Sequence, residues 1–381
     1  MRTTAIIHLD RFLANFQTVK KRVGNRQICV PVKADAYGHG AQKIAEAAIK
    51  AGADCLGVGT VNEGAELRKT GISAVILLFT QPNPQEIPAL IEAELTPFVS
   101  DALFASALND QAKIASKIIS VHLKIDSGMG RAGCSTVDSE FLSLANYISS
   151  CPNLKLTGTA THFAASDSTA QEDIAHTKLQ IERFNKAIEA IKADGIDPGI
   201  VHSANSGGIF LHEDSWFDMV RPGLFLYGYD LTGKEPALPV MELVSNISLI
   251  KKIKKGDSVS YGMTWKAPCD TFIGILPIGY ADGLPRAASG KWQFIINGKS
   301  YPGIGRICMD QCCIDLGTDP ETKKLAIGDK AIVFGGKEHG NGQCAASLAE
   351  VIGTIPYEIT CNIGKRVPRE YISKVVDPLN G

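Results

Sequence analysis

The first candidate for covalent chemistry is Lys33, which follows the apolar run 28–32 and precedes a glycine-containing turn that ends at Gly40. A lysine that is partly removed from water has a lowered pKa, and its neutral amine can attack a carbonyl group or form a Schiff base. A strand-end lysine can equally reach solvent and carry out no chemistry. The residue alone leaves both interpretations open, so the elements that would position it have to be considered.

Short apolar runs alternate with helical patterns from about residue 27 to residue 227. Eight strands are predicted, at residues 28–32, 55–58, 74–79, 96–99, 118–125, 156–161, 200–201 and 217–220. The helical segments between them include residues 42–51, 61–69, 102–115 and 171–193. This α/β alternation implies parallel strands with right-handed crossovers, and eight repeats predict a (β/α)8 TIM-like barrel. A doubly wound open sheet is the alternative; in a barrel, Lys33 would lie at the mouth where active sites assemble.

The sequence changes character after about residue 236, where short strands are separated by Gly, Pro and Asp turns. Strands are predicted at residues 244–253, 257–261, 271–275, 294–296 and 331–334. This pattern predicts a C-terminal mostly-β domain. We therefore expect a barrel over residues 9–235 and a second domain over residues 236–381, which residues 1–8 could join as an N-terminal strand.

Composition excludes several classes of function. The chain has 381 residues, with 39 Lys and Arg against 40 Asp and Glu, so no basic excess is available for nucleic acid or an anionic membrane. No apolar stretch reaches the eighteen or so residues of a membrane helix, and the N-terminus lacks a secretory pattern. The ten cysteines are scattered, which is typical of free thiols in a reducing compartment. We expect a soluble cytoplasmic protein that does not bind nucleic acid or membranes.

Three cysteines lie close together in the second domain, at Cys308, Cys312 and Cys313. Their spacing lacks the paired C-x-x-C pattern of zinc sites. We therefore interpret them as buried thiols and expect no metal site.

Motifs throughout the chain resemble those of the alanine racemases, a family of fold-type III pyridoxal-phosphate enzymes. The first motif is Lys33-Ala-Asp-Ala-Tyr-Gly-His-Gly40. The others follow in family order at residues 122–131, 161–164, 204–206, 220–224, 259–262, 276–283, 305–311 and 356–358. Any one of them could arise by chance, but the complete series is highly specific. The family's architecture, a (β/α)8 barrel followed by a β domain, agrees with the pattern described above.

The resemblance implies interconversion of L-alanine and D-alanine with pyridoxal 5'-phosphate bound covalently to Lys33. Racemisation needs two bases on opposite faces of the substrate carbon, and the resemblance assigns these roles to Lys33 and Tyr261. A phenol has a pKa near 10, so Tyr261 needs nearby positive charge to act as a base at neutral pH. A buried ring with a satisfied hydroxyl is the structural alternative. In this family the tyrosine comes from the partner subunit, which implies a homodimer with shared active sites.

The resemblance also assigns residues to the cofactor. Arg221 would contact the pyridine nitrogen and keep it unprotonated, which weakens the electron sink and favours racemisation over side reactions. His162 would support that arginine, although a satisfied core histidine fits equally well. The phosphate would be bound by a set of hydroxyls and backbone amides: Tyr37, Ser206, Gly223, Leu224 and Tyr357.

The substrate carboxylate would meet Arg131 and the backbone amide of Met309 from the partner chain. Lys124 occupies a position that is carbamylated in many family members, and an ordinary ion pair with Asp126 is as compatible with the sequence. The passage by which substrate reaches the site would be lined by Tyr280, Arg286 and Asp310. A narrow passage with the tyrosine pair Tyr280 and Tyr357 would exclude larger side chains, which is the main reason for naming alanine.

Three other functions compete with this interpretation. A racemase of broader specificity, or one acting on serine, would use the same scaffold. A decarboxylase of the same cofactor class shares the architecture, but the motifs around Tyr261 and Arg221 argue against it. A cofactor-carrying protein would not need the second domain with Tyr261 and Met309. The family's role in bacteria is the supply of D-alanine for peptidoglycan.

Overall fold

The parallel barrel that the sequence predicts is present and closed. A computed structural model describes residues 2–319, 324–335 and 343–373. The barrel strands are Gln27–Pro31, Cys55–Val58, Val75–Leu78, Thr96–Val99, Ile119–Asp126, Leu154–Ala160, Ile200–His202 and Met219–Val220. Each pairs in parallel with its neighbour, and the last strand pairs with the first through Met219 and Gln27. This closure excludes the open sheet.

Helices cover the outside of the barrel and connect its strands. The α-helices of this half are Leu9–Val23, Ala41–Lys50, Val61–Lys69, Ile87–Glu92, Ala102–Ile114, Glu140–Ser150, Gln171–Ala193 and Ser206–Leu211. Shorter elements are the strand Cys134–Ser135 and the 3-10 turns Pro84–Glu86, Val137–Ser139, Glu213–Ser215 and Leu224–Tyr227. The predicted helices at 42–51, 61–69, 102–115 and 171–193 agree with these bounds to within a residue.

The barrel interior is filled rather than open, because inward-facing side chains from several strands meet at its axis. Cys29, Cys55, Leu77, Phe98, Ala160 and Met219 form one buried cluster. Phe98 also lies 6.0 Å from the ring of His122 and 5.8 Å from the ring of His202. The apolar layer is thus followed by a polar layer that contains His122 and His202.

The second half of the chain forms a nine-stranded, mostly antiparallel sheet. In spatial order its strands are Leu249–Ile253, Thr271–Leu276, Cys312–Gly317, Lys299–Ile304, Gln293–Ile296, Lys330–Phe334, Met241–Asn246, Thr3–His8 and Arg369–Ile372. The N-terminal strand Thr3–His8 therefore belongs to this sheet. Further elements are the strands Ser258–Val259 and Trp265–Lys266, the 3-10 turns Tyr261–Met263 and Arg286–Ala288, and the helices Ala345–Ile352 and Pro356–Cys361. The division at residues 235 and 236 stays a prediction.

Two strand predictions in this half are wrong. The run 244–253 is not one strand, because Ile247 donates its amide to Asp329 and Ser248 donates its amide to Ile275. The first part of the run therefore pairs as Met241–Asn246, and the second part, Leu249–Ile253, pairs with a different strand at the far edge of the sheet. The run 257–261 pairs only at Ser258–Val259, and Tyr261 opens a 3-10 turn. The sequence analysis also missed the strands Lys299–Ile304 and Cys312–Gly317.

The cysteine prediction is only partly correct. Cys312 is buried in its strand, whereas Cys308 and Cys313 are partly exposed. Alternation along the strand Cys312–Gly317 explains why Cys312 is buried and Cys313 is not, because successive side chains of a strand point to opposite faces.

Candidate active site

A cavity of about 210 Å³ opens where the barrel strands end. Its wall includes side chains that follow or terminate five of those strands, which is where the fold assembles its active sites. The residues predicted from the sequence that line it are Lys33, Tyr37, Lys124, Arg131, His162, Ser206, Arg221, Gly223, Leu224 and Tyr357. One connected cavity therefore brings together ten of the predicted site residues.

Lys33 does not end a strand, as the sequence suggested, but begins a left-handed turn. Ala34, Asp35, Ala36 and Tyr37 all have φ between 51° and 55°. Left-handed conformations cost roughly 1–2 kcal/mol for each residue that carries a Cβ. A run of four is therefore strained and must be held by its surroundings.

Glu63 stabilises the start of this turn. Its Oε1 accepts the amide of Ala34 at 2.7 Å, and its Oε2 accepts the amide of Gly59 at 2.7 Å. The same side chain completes a capping box with Thr60 at the start of helix Val61–Lys69. Within the turn, the Asp35 side chain accepts the amide of Ala41 at 2.8 Å. Two carboxylates thus fix the backbone that carries Lys33.

The amine of Lys33 is placed so that its neutral form is favoured. Burial lowers its pKa first, and the nearby positive charge of Arg131 lowers it further. Glu63 opposes this effect without reversing it. The site therefore holds a lysine with a lowered pKa, as nucleophilic chemistry requires.

Arg221 lies fully inside the barrel end and is surrounded by neutral acceptors. It donates to His202 Nδ1 at 2.7 Å, to His162 Nδ1 at 3.1 Å, and to the carbonyl oxygens of Thr161 at 2.7 Å and Ser203 at 2.9 Å. No carboxylate forms an ion pair with it among the residues that the structure describes. Burial lowers its pKa to about 10, so it remains a cation at neutral pH.

The histidines beside Arg221 are neutral, and the hydrogen bonds define their protonation. Because the guanidinium can only donate, Nδ1 of His202 must accept from it. The Nε2 atom of His202 then carries the proton and donates it to His122 Nδ1 at 2.9 Å. Burial, followed by the charge of Arg221, lowers the pKa of both His162 and His202 and lowers the pKa of His122 to about 3.

Lys124 is a buried lysine flanked by cations. Its side chain lies 6.0 Å from the centre of the Phe98 ring. Burial lowers its pKa well below the ordinary value, and Arg221 and Arg131 lower it further, against a smaller opposing effect of Asp126. The ordinary ion pair with Asp126 is not formed: Asp126 instead accepts the backbone amides of Gly128, Met129 and Gly130.

Those hydrogen bonds from backbone amides to Asp126 shape the loop that carries Arg131. Burial opposes ionisation of Asp126, but the three amides outweigh it and lower the pKa of the carboxyl group. His176 holds the other side of the loop through its bond to the carbonyl oxygen of Gly128 at 3.0 Å. The exposed Arg131 is therefore presented to the cavity from a fixed turn.

Hydroxyls and amides form a neutral anion cradle on the opposite wall. Ser206 Oγ accepts the amides of Gly223 at 3.0 Å and Phe225 at 3.3 Å, which leaves its own proton to donate. A Cβ atom at Gly223 would lie 3.1 Å from the Tyr37 hydroxyl, so glycine allows the close approach there. The rings of Tyr37 and Tyr357 lie 5.6 Å apart. Burial raises the pKa of Tyr357 to about 12, so its hydroxyl keeps its proton.

The remaining predicted residues do not line this cavity. Tyr261 has 71% of its surface exposed and Met309 has 52% exposed. Tyr280, Arg286 and Asp310 are also on the surface of the second domain. Within one chain, the barrel residues and Tyr357 are assembled, whereas the other predicted residues of the second domain are not.

Sequence reasoning missed several residues of the site. Glu63, Asp126, His122 and His202 position the turn, the loop and the arginine described above. The Thr60-x-x-Glu63 pattern is a capping-box signal and could have identified Glu63. The histidines carry no local signal, because their partners lie 19 to 80 residues away in sequence.

The fold and the cavity define a two-domain barrel enzyme in which a lysine with a lowered pKa lies in one cavity with hydroxyls and backbone amides that can bind an anion. Residues 7–231 match the family model "Alanine racemase, N-terminal domain", and residues 240–371 match "Alanine racemase, C-terminal domain". The alanine racemase of Treponema denticola is 48% identical, with 98% of this chain and 99% of that protein covered.

Solved structures agree with this assignment. The alanine racemase of Streptomyces coelicolor A3(2) is 34% identical, has a TM-score of 0.90, and covers 97% of this chain and 98% of its own. The alanine racemase of Bartonella henselae, solved with covalently bound pyridoxal phosphate, is 27% identical with a TM-score of 0.85, covering 98% of this chain and 100% of its own. The chain belongs to the alanine racemase family of amino-acid isomerases. None of the helices in the described ranges is long and apolar enough to cross a membrane.

Proposed function

We propose that this chain interconverts L-alanine and D-alanine by a two-base mechanism in which Lys33 and Tyr261 act on opposite faces of the substrate carbon. The observation that carries the proposal is the arrangement in one cavity of a lysine with a lowered pKa, a cationic arginine that has no carboxylate partner within the described ranges, and a hydroxyl-lined anion cradle. Family membership supplies the substrate class.

The cavity's donor set fits pyridoxal 5'-phosphate. Ser206, Tyr37, Tyr357 and the backbone near Gly223 and Leu224 would hold the phosphate, and Lys33 would hold the aldehyde carbon covalently. When bound, the cofactor supplies delocalisation of the negative charge that develops on the substrate carbon. While the substrate amine occupies that carbon in place of Lys33, the freed Lys33 would be a neutral amine, and its Nζ would accept or return the proton on its own face.

Arg221 would face the cofactor's ring nitrogen, with His162 supporting it from the side. Because its four described contacts are to neutral acceptors, its charge is not cancelled by a carboxylate. A guanidinium that keeps its proton leaves the nitrogen unprotonated and limits delocalisation. Limited delocalisation favours rapid return of the proton over side reactions.

Tyr261 would reach the cavity from a second copy of the chain. Its exposure, and that of Met309, leaves both free to be covered by a partner. A homodimer in which each barrel receives Tyr261 and the Met309 amide from its partner would complete both sites.

Arg131 would bind the substrate carboxylate together with the Met309 amide. Lys124 is proposed to be carbamylated, since its lowered pKa favours the neutral amine that can add carbon dioxide. The resulting carboxylate would lie beside Arg131 and orient it.

Tyr280, Arg286 and Asp310 would line the passage by which substrate enters the site. The role that this reaction suggests is the supply of D-alanine for peptidoglycan, with the D-alanine made in the cytoplasm.

A direct assay tests this proposal. The purified protein, with added cofactor, should racemise alanine in both directions, and lysine, arginine and serine should react much more slowly. Tyr261→Phe should suppress solvent-deuterium incorporation from L-alanine while sparing some exchange from D-alanine. Equal loss from both enantiomers would contradict the two-base assignment, and equal rates with serine would support a broader racemase.

A further inference from the structure

A buried carboxylate in the second domain connects two turns: residues 279–283, which include Tyr280, and residues 308–311, which include Met309 and Asp310. Asp282 is almost fully buried, with 3% of its side chain exposed. Its Oδ1 accepts Arg366 Nε at 2.7 Å, and its Oδ2 accepts the amide of Gly279 at 2.8 Å. Arg2 Nη2 approaches the same carboxylate at 3.4 Å. The carboxylate thus joins three segments that are distant in sequence.

Arg366 extends this connection to the turn that contains Met309. Its Nη2 donates to Asp310 Oδ1 at 2.8 Å and to the carbonyl oxygen of Met309 at 3.4 Å. Arg2 donates to the carbonyl oxygen of Asp310 at 2.7 Å. The turn is therefore held by two arginines, and Asp282 contacts both.

The backbones of the two turns are also in direct contact. Tyr280 donates its amide to Cys308, and Ala281 donates its amide to Met309. A Cβ atom at Gly279 would lie 2.3 Å from the carbonyl oxygens of Cys308 and Met309, so only glycine permits this approach. Movement of one turn must consequently move the other.

We propose that Asp282 and Arg366 are positioning residues that fix the orientation of the Met309 amide and the Asp310 side chain, and thereby set the affinity for the substrate carboxylate. This inference rests on the proposed function, in which Met309 binds that carboxylate. Neither residue touches the substrate; both act through the turn at residues 308–311.

The first test does not depend on activity. Hydrogen exchange of the backbone amides at residues 308–311 is compared between the cofactor-loaded wild type and the variants Asp282→Asn and Arg366→Met. Arg366 has 39% of its side chain exposed, so Arg366→Met is the variant to rely on if Asp282→Asn does not fold. Glu242→Gln is the matched control, because Glu242 is another buried carboxylate of the second domain and pairs with Lys330 at 2.8 Å. Exchange should rise in the two variants and not in the control.

The second test separates binding from chemistry. A bond to the carboxylate is made in both the ground state and the transition state, so its weakening raises KM and leaves kcat nearly unchanged. We expect KM for L-alanine and D-alanine to rise by the same factor, about tenfold, as for a weakened hydrogen bond to a charged group. The inhibition constant of propionate, which has the carboxylate of alanine without its amine, should rise by that factor as well.

Unchanged exchange at residues 308–311, or a fall in kcat at constant KM, would overturn the positioning role. Glu242→Gln reproducing the KM effect would do the same, because it would show a general loss of stability. If the wild type does not racemise alanine, the proposed function fails, and the exchange measurement alone then decides whether Asp282 and Arg366 fix the turn.

Discussion

At the scale of single residues, the site depends on charges that are kept apart from their usual partners. Arg221 remains a cation although it is buried among histidines and carbonyl oxygens. Lys33 loses its charge readily because burial and nearby cations lower the pKa of its amine. In the proposed mechanism the two residues have opposite tasks, although burial lowers the pKa of both. The pKa of the guanidinium falls only to about 10, so Arg221 stays charged at neutral pH, whereas the amine of Lys33 is brought towards neutrality.

Arg221→Lys should be strongly destabilising. An ammonium cannot reach the four acceptors that the planar guanidinium serves, so buried groups lose their hydrogen bonds. We expect the free energy of unfolding to fall by about 2–4 kcal/mol. Denaturant unfolding measures this, with Arg26→Lys as the control. The exposed Arg26 donates to the carbonyl oxygen of Val23 at 3.3 Å and lies 5.1 Å from the Trp216 ring, so its replacement should change stability by less than about 1 kcal/mol. Similar values for the two variants would mean that the described network contributes little.

At the scale of elements, the left-handed turn 34–37 is the feature that fixes Lys33. The strain of four residues is offset by Glu63, Asp35 and the bonds of His39 Nδ1 to the carbonyl oxygens of Ala36 and Tyr37. These contacts come from a neighbouring helix and from the turn itself, which makes the lysine's position a property of the packed barrel.

Glu63→Gln tests this support. A glutamine has one acceptor oxygen, so its NH2 group would face either the Ala34 amide or the Gly59 amide, donor against donor. Stability should fall by about 1–3 kcal/mol, and exchange of the Ala34 amide should increase. Glu66→Gln, on the exposed face of the same helix, is the control and should leave both unchanged. Retention of slow exchange at Ala34 in Glu63→Gln would show that the turn is held by other contacts.

The sequence was sufficient to predict the barrel and ten residues that line its cavity, because strand periodicity and ordered motifs are local signals. It was not sufficient for the left-handed turn, since Ala34 and Ala36 are ordinary helix formers and only tertiary contacts force their conformation. The split at residues 247–248 was missed for the same kind of reason. Apolar residues continue through the break, and only the bonds to Asp329 and Ile275 reveal that the chain changes partner.

At the scale of the whole molecule, buried neutral histidines should make stability depend on pH. The pKa of His122 is lowered to about 3 and that of His39 to about 4, mainly by burial, whereas unfolded histidines titrate near 6.5. Below pH 6.5 the unfolded state therefore binds more protons, and stability is lost as pH falls towards the folded values.

Urea unfolding at pH 7.5, 6.5, 5.5 and 4.5 measures this loss, which can reach about 1.4 kcal/mol per pH unit for each such histidine. His122→Gln should lose less stability across this range than the wild type, because one titrating group is removed. Equal slopes for the two proteins would show that His122 does not contribute to the pH dependence.

The barrel, together with Tyr357, assembles one half of the proposed site, and the proposed other half, Tyr261 and Met309, lies on the surface of the second domain. We propose that these halves meet across two copies of the chain. Mixing an inactive Lys33→Ala variant with an inactive Tyr261→Phe variant tests it most directly, after subunit exchange has been demonstrated with a mass tag. If the halves come from different chains, each mixed dimer contains one fully intact site and one doubly altered site. Random exchange should then restore about one quarter of wild-type activity. If each chain supplies both residues to its own site, no mixed dimer has an intact site, and the absence of any restored activity would contradict the account.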